Sequence, residues 1–310
     1  MSSTVPLEQR SVGLPDAEAV LQQVWGYPRF RYHQRRAVLA ALNGRDCLAV
    51  LPTGGGKSLC FQVPALLLPG LTLVVSPLIS LMQDQVAALR KRRVAAAYLS
   101  STQKKPVQQT VMQLLAAGRL KLLYVAPERL QRLVPDLAAL EISLIAVDEA
   151  HCISEWGHDF RPQFRSIGRH RRSLGSPPTI AVTATATTET LRDIVRVLRL
   201  RRPVRIAQSF DRPNLFFAAR HWDDEAKRVS EAARLLRTHE GTAIVYVQTR
   251  DRTDGVTAVL RRWGFKAAPY HAGLPPTARR ALLRRFVDGD IRVMVATSAF
   301  GMGIDKPDET

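Results

Sequence analysis

Short apolar runs rich in β-branched residues alternate along the chain with longer amphipathic stretches. The runs at 46–51, 71–75, 121–125, 143–147 and 179–182 predict strands. The stretches at 57–68, 78–90, 106–117 and 187–198 predict helices. Strands that are apolar throughout belong to a parallel sheet covered by helices on both faces. The pattern breaks at the basic stretch 199–203 and resumes after 209–214, where strands at 242–247, 266–270 and 291–296 enclose helices at 252–263 and 276–287. The α/β chain thus reads as an N-terminal tail (1–15), a first domain (16–208) and a smaller second domain (209–310). No repeat at solenoid spacing and no long low-complexity segment interrupts it.

The stretch 61–82 is uncharged and mostly apolar. Pro64, Pro69, Gly70 and Pro77 break it into a helix end, a turn, a strand and a new helix, so a soluble protein with no membrane partner is expected. No apolar core of a signal peptide stands at the N-terminus.

The 310 residues suffice for two cores, and 46% hydrophobic with 23% charged residues is ordinary for a globular protein. The charge balance is not. Lys and Arg number 45 against 27 acidic residues, a formal net charge of +18. Such a field favours a polyanion such as nucleic acid, although an Arg-rich, solubilising surface would give the same sum. Cys47, Cys60 and Cys152 are far apart and form no C-x-x-C pair, which indicates buried reduced thiols and no zinc in this chain.

The strand at 46–51 runs into Pro52-Thr53-Gly54-Gly55-Gly56-Lys57-Ser58 and then a helix. A strand, a glycine turn and a helix N-terminus make a phosphate cradle, because inward N–H groups and the helix dipole attract anions. Lys57 would reach the outer phosphates and Ser58 would ligate Mg²⁺. Leu51 stands where the pattern usually has its first glycine. The alternative is a glycine turn with no ligand. The strand at 143–147 ends in Asp148-Glu149-Ala150-His151. Carboxylates at a strand's C-terminal end, where α/β sheets bind ligands, would hold Mg²⁺ (Asp148) and orient and deprotonate a water (Glu149). A solvated turn is the bland alternative.

With Thr183-Ala184-Thr185-Ala186, these segments resemble motifs I, II and III of superfamily 2 helicases. More narrowly, Cys152-Ile153-Ser154-Glu155-Trp156-Gly157-His158-Asp159-Phe160-Arg161-Pro162 resembles the aromatic-rich loop of RecQ DNA helicases. Ser76-Pro77-Leu78-Ile79-Ser80-Leu81-Met82 resembles their motif Ia, and Ala299-Phe300-Gly301-Met302-Gly303-Ile304-Asp305 their motif V. Tyr246-Val247-Gln248-Thr249-Arg250 and Tyr270-His271-Ala272-Gly273-Leu274 are similar to motifs IV and IVa.

The resemblance implies two tandem RecA-like parallel-sheet domains of the P-loop NTPase kind, the second incomplete. It implies ATP with Mg²⁺ as cofactors, single-stranded and forked duplex DNA as partners, and a cytoplasmic, nucleoid-associated 3′→5′ helicase of recombination and repair. Lys57, Asp148, Glu149 and His151 would be catalytic, with Ser58 and Asp148 on the metal. Trp25, Tyr27, Arg31 and Gln34 would meet the adenine, and Thr53, Gly54, Gly55, Gly56, Lys57 and Ser58 the phosphates. For Phe30 in the same segment, core packing is an equal alternative. Tyr32-His33 replaces the family's more usual Pro-Gly. Ser76, Trp156, His158, Phe160, Arg161, Thr183, Thr185, Thr249, Arg250 and His271 would contact DNA or couple it to hydrolysis, the aromatic faces stacking on bases.

RecQ helicases continue into a motif VI with an arginine finger, worth on the order of 10³–10⁵ in rate in related systems. The expectation is therefore a RecQ helicase cut after motif V that binds ATP and DNA but turns over and unwinds poorly alone. A non-hydrolysing remnant and a remodeller that does not unwind are the alternatives.

Overall fold

The computed structural model describes residues 12–154, 160–208, 215–297 and 300. Its contacts divide the chain into two units, Met1–Asp211 and Arg212–Thr310. In the first, α1 (Leu14–Trp25) and α2 (Tyr32–Leu42) precede β1 (Cys47–Val50), α3 (Leu59–Leu67), β2 (Leu71–Val75), α4 (Ile79–Lys91) and β3 (Ala96–Leu99). Then come α5 (Lys105–Ala116), β4 (Leu122–Val125), α6 (Pro127–Ala138), β5 (Ile142–Val147), α7 (Ile167–Ser173), β6 (Thr179–Thr183), α8 (Thr188–Leu198) and β7 (Val204–Ala207). The strands form a seven-stranded sheet in the order β3-β4-β2-β5-β6-β1-β7. All its ladders are parallel.

Side chains of a strand alternate between faces, and here both faces are covered. Leu73, Val75, Ile145 and Val147 enter one core cluster with Leu123, Phe164 and Ile167. Val74, Leu144 and Ala146 enter the other with Phe61, Met82 and Tyr124. Double burial is why these strands read as unbroken apolar runs. The uncharged 61–82 stretch is divided among α3, β2 and α4, and among the described residues no helix is long and apolar enough to cross a membrane.

Two edge strands escaped the sequence reading. β3 is Ala-Ala-Tyr-Leu, with no β-branched residue. β7 is Val-Arg-Ile-Ala, lies just beyond the basic break, and exposes Arg205. At the N-terminal ends of the strands, buried Asp46 accepts from Arg171 Nη2 (2.6 Å), Thr179 N (2.8 Å) and Arg201 N (2.5 Å). Arg171 donates onward to the carbonyls of Pro177 and Arg199. One charge pair thus ties the starts of β1 and β6 to the end of α8.

The second unit holds α9 (Glu225–Thr238), β8 (Ala243–Tyr246), α10 (Arg250–Arg262), β9 (Ala267–Tyr270), α11 (Pro276–Val287) and β10 (Val293–Ala296). Its described strands form a parallel sheet in the order β8-β10-β9. Leu260, Phe265, Val293 and Val295 fill one face, and Phe286, Met294 and Phe300 the other. The β8 edge leaves Ile244 and Tyr246 exposed, and Phe216 and Phe217 are exposed before α9.

Candidate nucleotide site and nucleic-acid face

The glycine loop leaves β1 and enters α3 at Leu59, so Lys57 and Ser58 stand in the loop rather than in the helix that the sequence pattern begins at residue 57. Gly54 and Gly56 adopt φ of +75° and +68°, a region that favours glycine. Gly55 has no such φ, but a Cβ there would lie 2.7 Å from the Pro52 carbonyl oxygen. Each glycine is therefore required, two by dihedral angle and one by space. Leu51 is fully buried in the core, and its N–H bonds the Thr183 carbonyl, so the non-glycine residue ends the strand and leaves the loop itself unaltered. Lys57 Nζ lies 3.4 Å from the Leu51 carbonyl oxygen. The Ser58 hydroxyl makes no capping bond at the head of α3.

The segment proposed for adenine braces this loop. Gln34 is 5% exposed; its Nε2 donates to the carbonyls of Gly55 (3.0 Å) and Gly56 (3.3 Å), and its Oε1 accepts from Arg31 N (2.9 Å). Arg31 Nη1 donates to the Gly54 carbonyl at 3.1 Å. Both ends of the Gln34 amide are thus engaged with backbone. Tyr27 is exposed, Trp25 is half-buried against two core clusters, and Phe30 is buried in the core, as its packing alternative requires.

At the end of β5, Asp148 N bonds the Val75 carbonyl, and Asp148 Oδ1 accepts from Glu149 N at 3.0 Å. Glu149 takes a left-handed conformation, φ +48°, which costs a non-glycine residue on the order of 1–3 kcal/mol and characterises functional sites. His151 Nδ1 lies 2.8 Å from Thr183 Oγ1 and 3.3 Å from Glu149 Oε2. Thr183 Oγ1 donates its own hydrogen to the Thr185 carbonyl. It must then accept from His151, which places a proton on Nδ1 and ties the acidic box to Thr183 and Thr185.

The carboxyls are driven apart. Burial, then the charge of Glu149, pushes Asp148 up to about 7, with Lys57 and His151 opposing. Burial also opposes ionisation of Glu149, yet its bond from His151 and the charges of Lys57 and His151 hold it below the usual carboxylate range. The Cys152 sulfur, 3.8 Å from Nε2, and the Glu149 carboxylate push His151 up to about 10. A cation beside Asp148 would restore its negative form. A buried carboxylate and an uncapped hydroxyl suit Mg²⁺, which takes few protein oxygens and completes its shell with phosphate and water. Among the described residues no cluster of three or more His, Cys, Asp or Glu is placed to hold a metal.

Trp156 and His158 lie outside the described residues. The loop that carries them is anchored on both sides. Ser154 Oγ donates to Asp193 Oδ2 on α8 at 2.9 Å, and Arg161 Nη1 donates to the Pro77 carbonyl at 2.7 Å. Phe160 is half-buried. Arg161 therefore touches the segment of Ser76, whose own Oγ is buried without a hydrogen-bond partner among the described residues. In the second unit, Thr249 caps α10 by accepting from Arg252 N, and Arg250 is exposed in the first turn. His271 is buried, 3.4 Å from Asp254 Oδ1. Of the motif V segment only Phe300 is described, packed edge-on against Tyr270 and Phe286. Sequence reasoning missed Gln62, Tyr124 and Gln85, a buried polar cluster joining α3, β4 and α4; its one signal is a glutamine inside an otherwise apolar helix.

A family model for the DEAD/DEAH box helicases matches residues 31–194, and one for the helicase conserved C-terminal domain matches 227–309. The chain belongs to the DEAD/DEAH box helicase family. Among its relatives are RecQ helicases. It is 42% identical over 304 residues to the ATP-dependent DNA helicase RecQ of Haemophilus influenzae, covering 97% of this chain and 49% of that protein. It is 43% identical over 300 residues to the ATP-dependent DNA helicase RecQ of Synechocystis, covering 94% of this chain and 63% of that protein. It thus spans about half the length of the first of these relatives. The crystal structure of the DUF1998 helicase MrfA bound to DNA and AMPPNP aligns with a TM-score of 0.75 at 19% identity, covering 98% of this chain and 46% of that one. At that identity the likeness concerns the fold, two RecA-like domains built on parallel sheets.

Proposed function

We propose that the chain is the motor portion of a RecQ-type DNA helicase, which binds Mg²⁺–ATP in its first unit and couples hydrolysis to 3′→5′ movement on single-stranded DNA and duplex unwinding. The observation that carries this reading is the gathering of Lys57, Asp148, Glu149, His151 and Thr183 at the C-terminal ends of β5, β6 and β1, three neighbouring strands of one sheet. Lys57 lies close enough to both carboxyls to influence them. In use, its ammonium leaves the Leu51 carbonyl for the outer phosphates. Glu149, held ionised, orients the attacking water and takes its proton, while the charged His151 fixes the carboxylate in place. Ser58 and Asp148 would hold the metal, which would supply positive charge against the phosphates. Gln34 exchanges a loop carbonyl for the adenine edge.

The net charge of +18 suits a partner whose binding is largely electrostatic. Forks and single strands are the proposed substrates, with recombination and repair as the setting. The test is phosphate release by this chain with and without oligo(dT). DNA-stimulated release abolished by Lys57→Ala and by Glu149→Gln supports the proposal. Release that survives both changes refutes it, and DNA-dependent nucleotide binding without release would make the chain a nucleotide-gated DNA binder.

A further inference from the structure

Gln62 is 3% exposed in α3, one turn beyond Ser58, whose carbonyl accepts from Gln62 N at 2.9 Å. Its neighbours Cys60, Phe61, Val63 and Pro64 are all buried. A glutamine there needs partners, because an unpaired buried amide costs on the order of 1–3 kcal/mol. It has two. Nε2 donates to the Tyr124 hydroxyl at 2.8 Å and to Gln85 Oε1 at 2.7 Å. Tyr124 is 1% exposed on β4. Gln85 is half-buried on α4, the helix into which the Ser76–Ser80 segment runs.

Two further features give this cluster a direction. Pro64 has no N–H, so the Cys60 carbonyl receives no i+4 bond and the first turn of α3 is loosely joined to the rest of the helix. The Gln62 amide is then a side-chain link between that turn and α4. Tyr124 also pairs in register with Val74 on β2, whose partner on β5 is Ala146, two residues before Asp148. The cluster therefore sits between the phosphate loop, the acidic box and the helix behind the proposed DNA-contact segment.

We propose that Gln62, held by Tyr124 and Gln85, is a positioning residue that relays occupancy of the phosphate loop from the head of α3 to α4 and its Ser76–Ser80 segment, so that nucleotide and DNA alter each other's affinity. This rests on the ATP and DNA reading above. Such linkage is reciprocal and typically amounts to about 5–150-fold.

The test measures dissociation constants of the full chain for a fluorescent, non-hydrolysable ATP analogue with Mg²⁺, with and without saturating oligo(dT). The unsubstituted protein, Gln62→Met, Gln85→Met and Tyr124→Phe are compared, the last removing one hydroxyl where a methionine variant fails to fold. The expected result is that each ligand alone binds within about twofold of the unsubstituted protein, while the several-fold mutual effect falls to near one, read equally from the DNA side. Coupling retained in the variants overturns the relay and leaves the ATP and DNA reading standing. Loss of affinity for a lone ligand also overturns it, since Gln62 would then be a structural prop. If the unsubstituted chain shows no nucleotide binding sensitive to Lys57→Ala, the functional reading fails and the relay falls with it.

Discussion

Gly56→Ala tests the phosphate loop most sharply, because two costs meet at one atom. The position has φ +68°, so any L-residue pays about 1–2 kcal/mol for the left-handed backbone. The new Cβ would also stand 2.2 Å from Gln34 Nε2, so the amide must withdraw from the carbonyls of Gly55 and Gly56. Those bonds contribute about 1 kcal/mol each. The sum is about 3–4 kcal/mol, drawn from stability if the loop stays in place and from nucleotide affinity if it relaxes. As affinity it corresponds to roughly 150- to 1,000-fold. Gly54→Ala is the control: φ is +75° but nothing lies within 4 Å of its Cβ, so only the backbone cost applies. Adding Gln34→Ala to Gly56→Ala should cost less than Gln34→Ala alone, because the bonds to the loop are already lost. Calorimetric unfolding and titration with a fluorescent ATP analogue read the two channels together. Gly56→Ala no worse than Gly54→Ala in both would refute the claim that Gln34 holds the loop.

Three further outcomes follow from the packing. Arg171→Met strands the buried Asp46 carboxylate and should lower urea unfolding free energy by about 3–5 kcal/mol; a loss under about 1 kcal/mol would mean that Asp46 is held by its backbone donors alone. Burial pushes the Cys47 thiol up to about 12 and Cys60 higher still, and Cys152 is buried with them. A disulfide reagent at pH 8 should thus label none of the three until denaturant is added, and rapid native labelling would contradict this core. His151 is pushed up to about 10 from an ordinary value near 6.5. Its pairing therefore stabilises the fold fully below about pH 6.5 and is lost as pH rises toward 10. The stability difference between the unsubstituted chain and His151→Gln should shrink over that window; a difference that grows with pH would mean a neutral imidazole.

The fold was legible where burial is double-sided. The runs at β2 and β5 are apolar at every position because helices cover both faces, and their limits were read almost to the residue. β3 and β7 were not, because four-residue edges carrying alanines or an exposed arginine give no such signal. Lys57, Asp148 and Glu149 were legible because their chemistry requires a strand end, a glycine turn and adjacent acids within a few residues. Gln62–Tyr124–Gln85 and Asp46–Arg171 were not, since each joins residues far apart in sequence. Gln34 reads from the sequence as a candidate for the adenine, but its bonds to the loop carbonyls are visible only in three dimensions.

If Lys57, Asp148 and Glu149 form one Mg²⁺–ATP site, equilibrium binding of a fluorescent ATP analogue shows it most directly. Binding should require Mg²⁺ and should survive Glu149→Gln, which removes the base but keeps the shape. It should weaken about 10- to 100-fold in Lys57→Ala, the worth of a charge-assisted bond to phosphate. Binding unchanged by Lys57→Ala, or indifferent to Mg²⁺, would contradict the site.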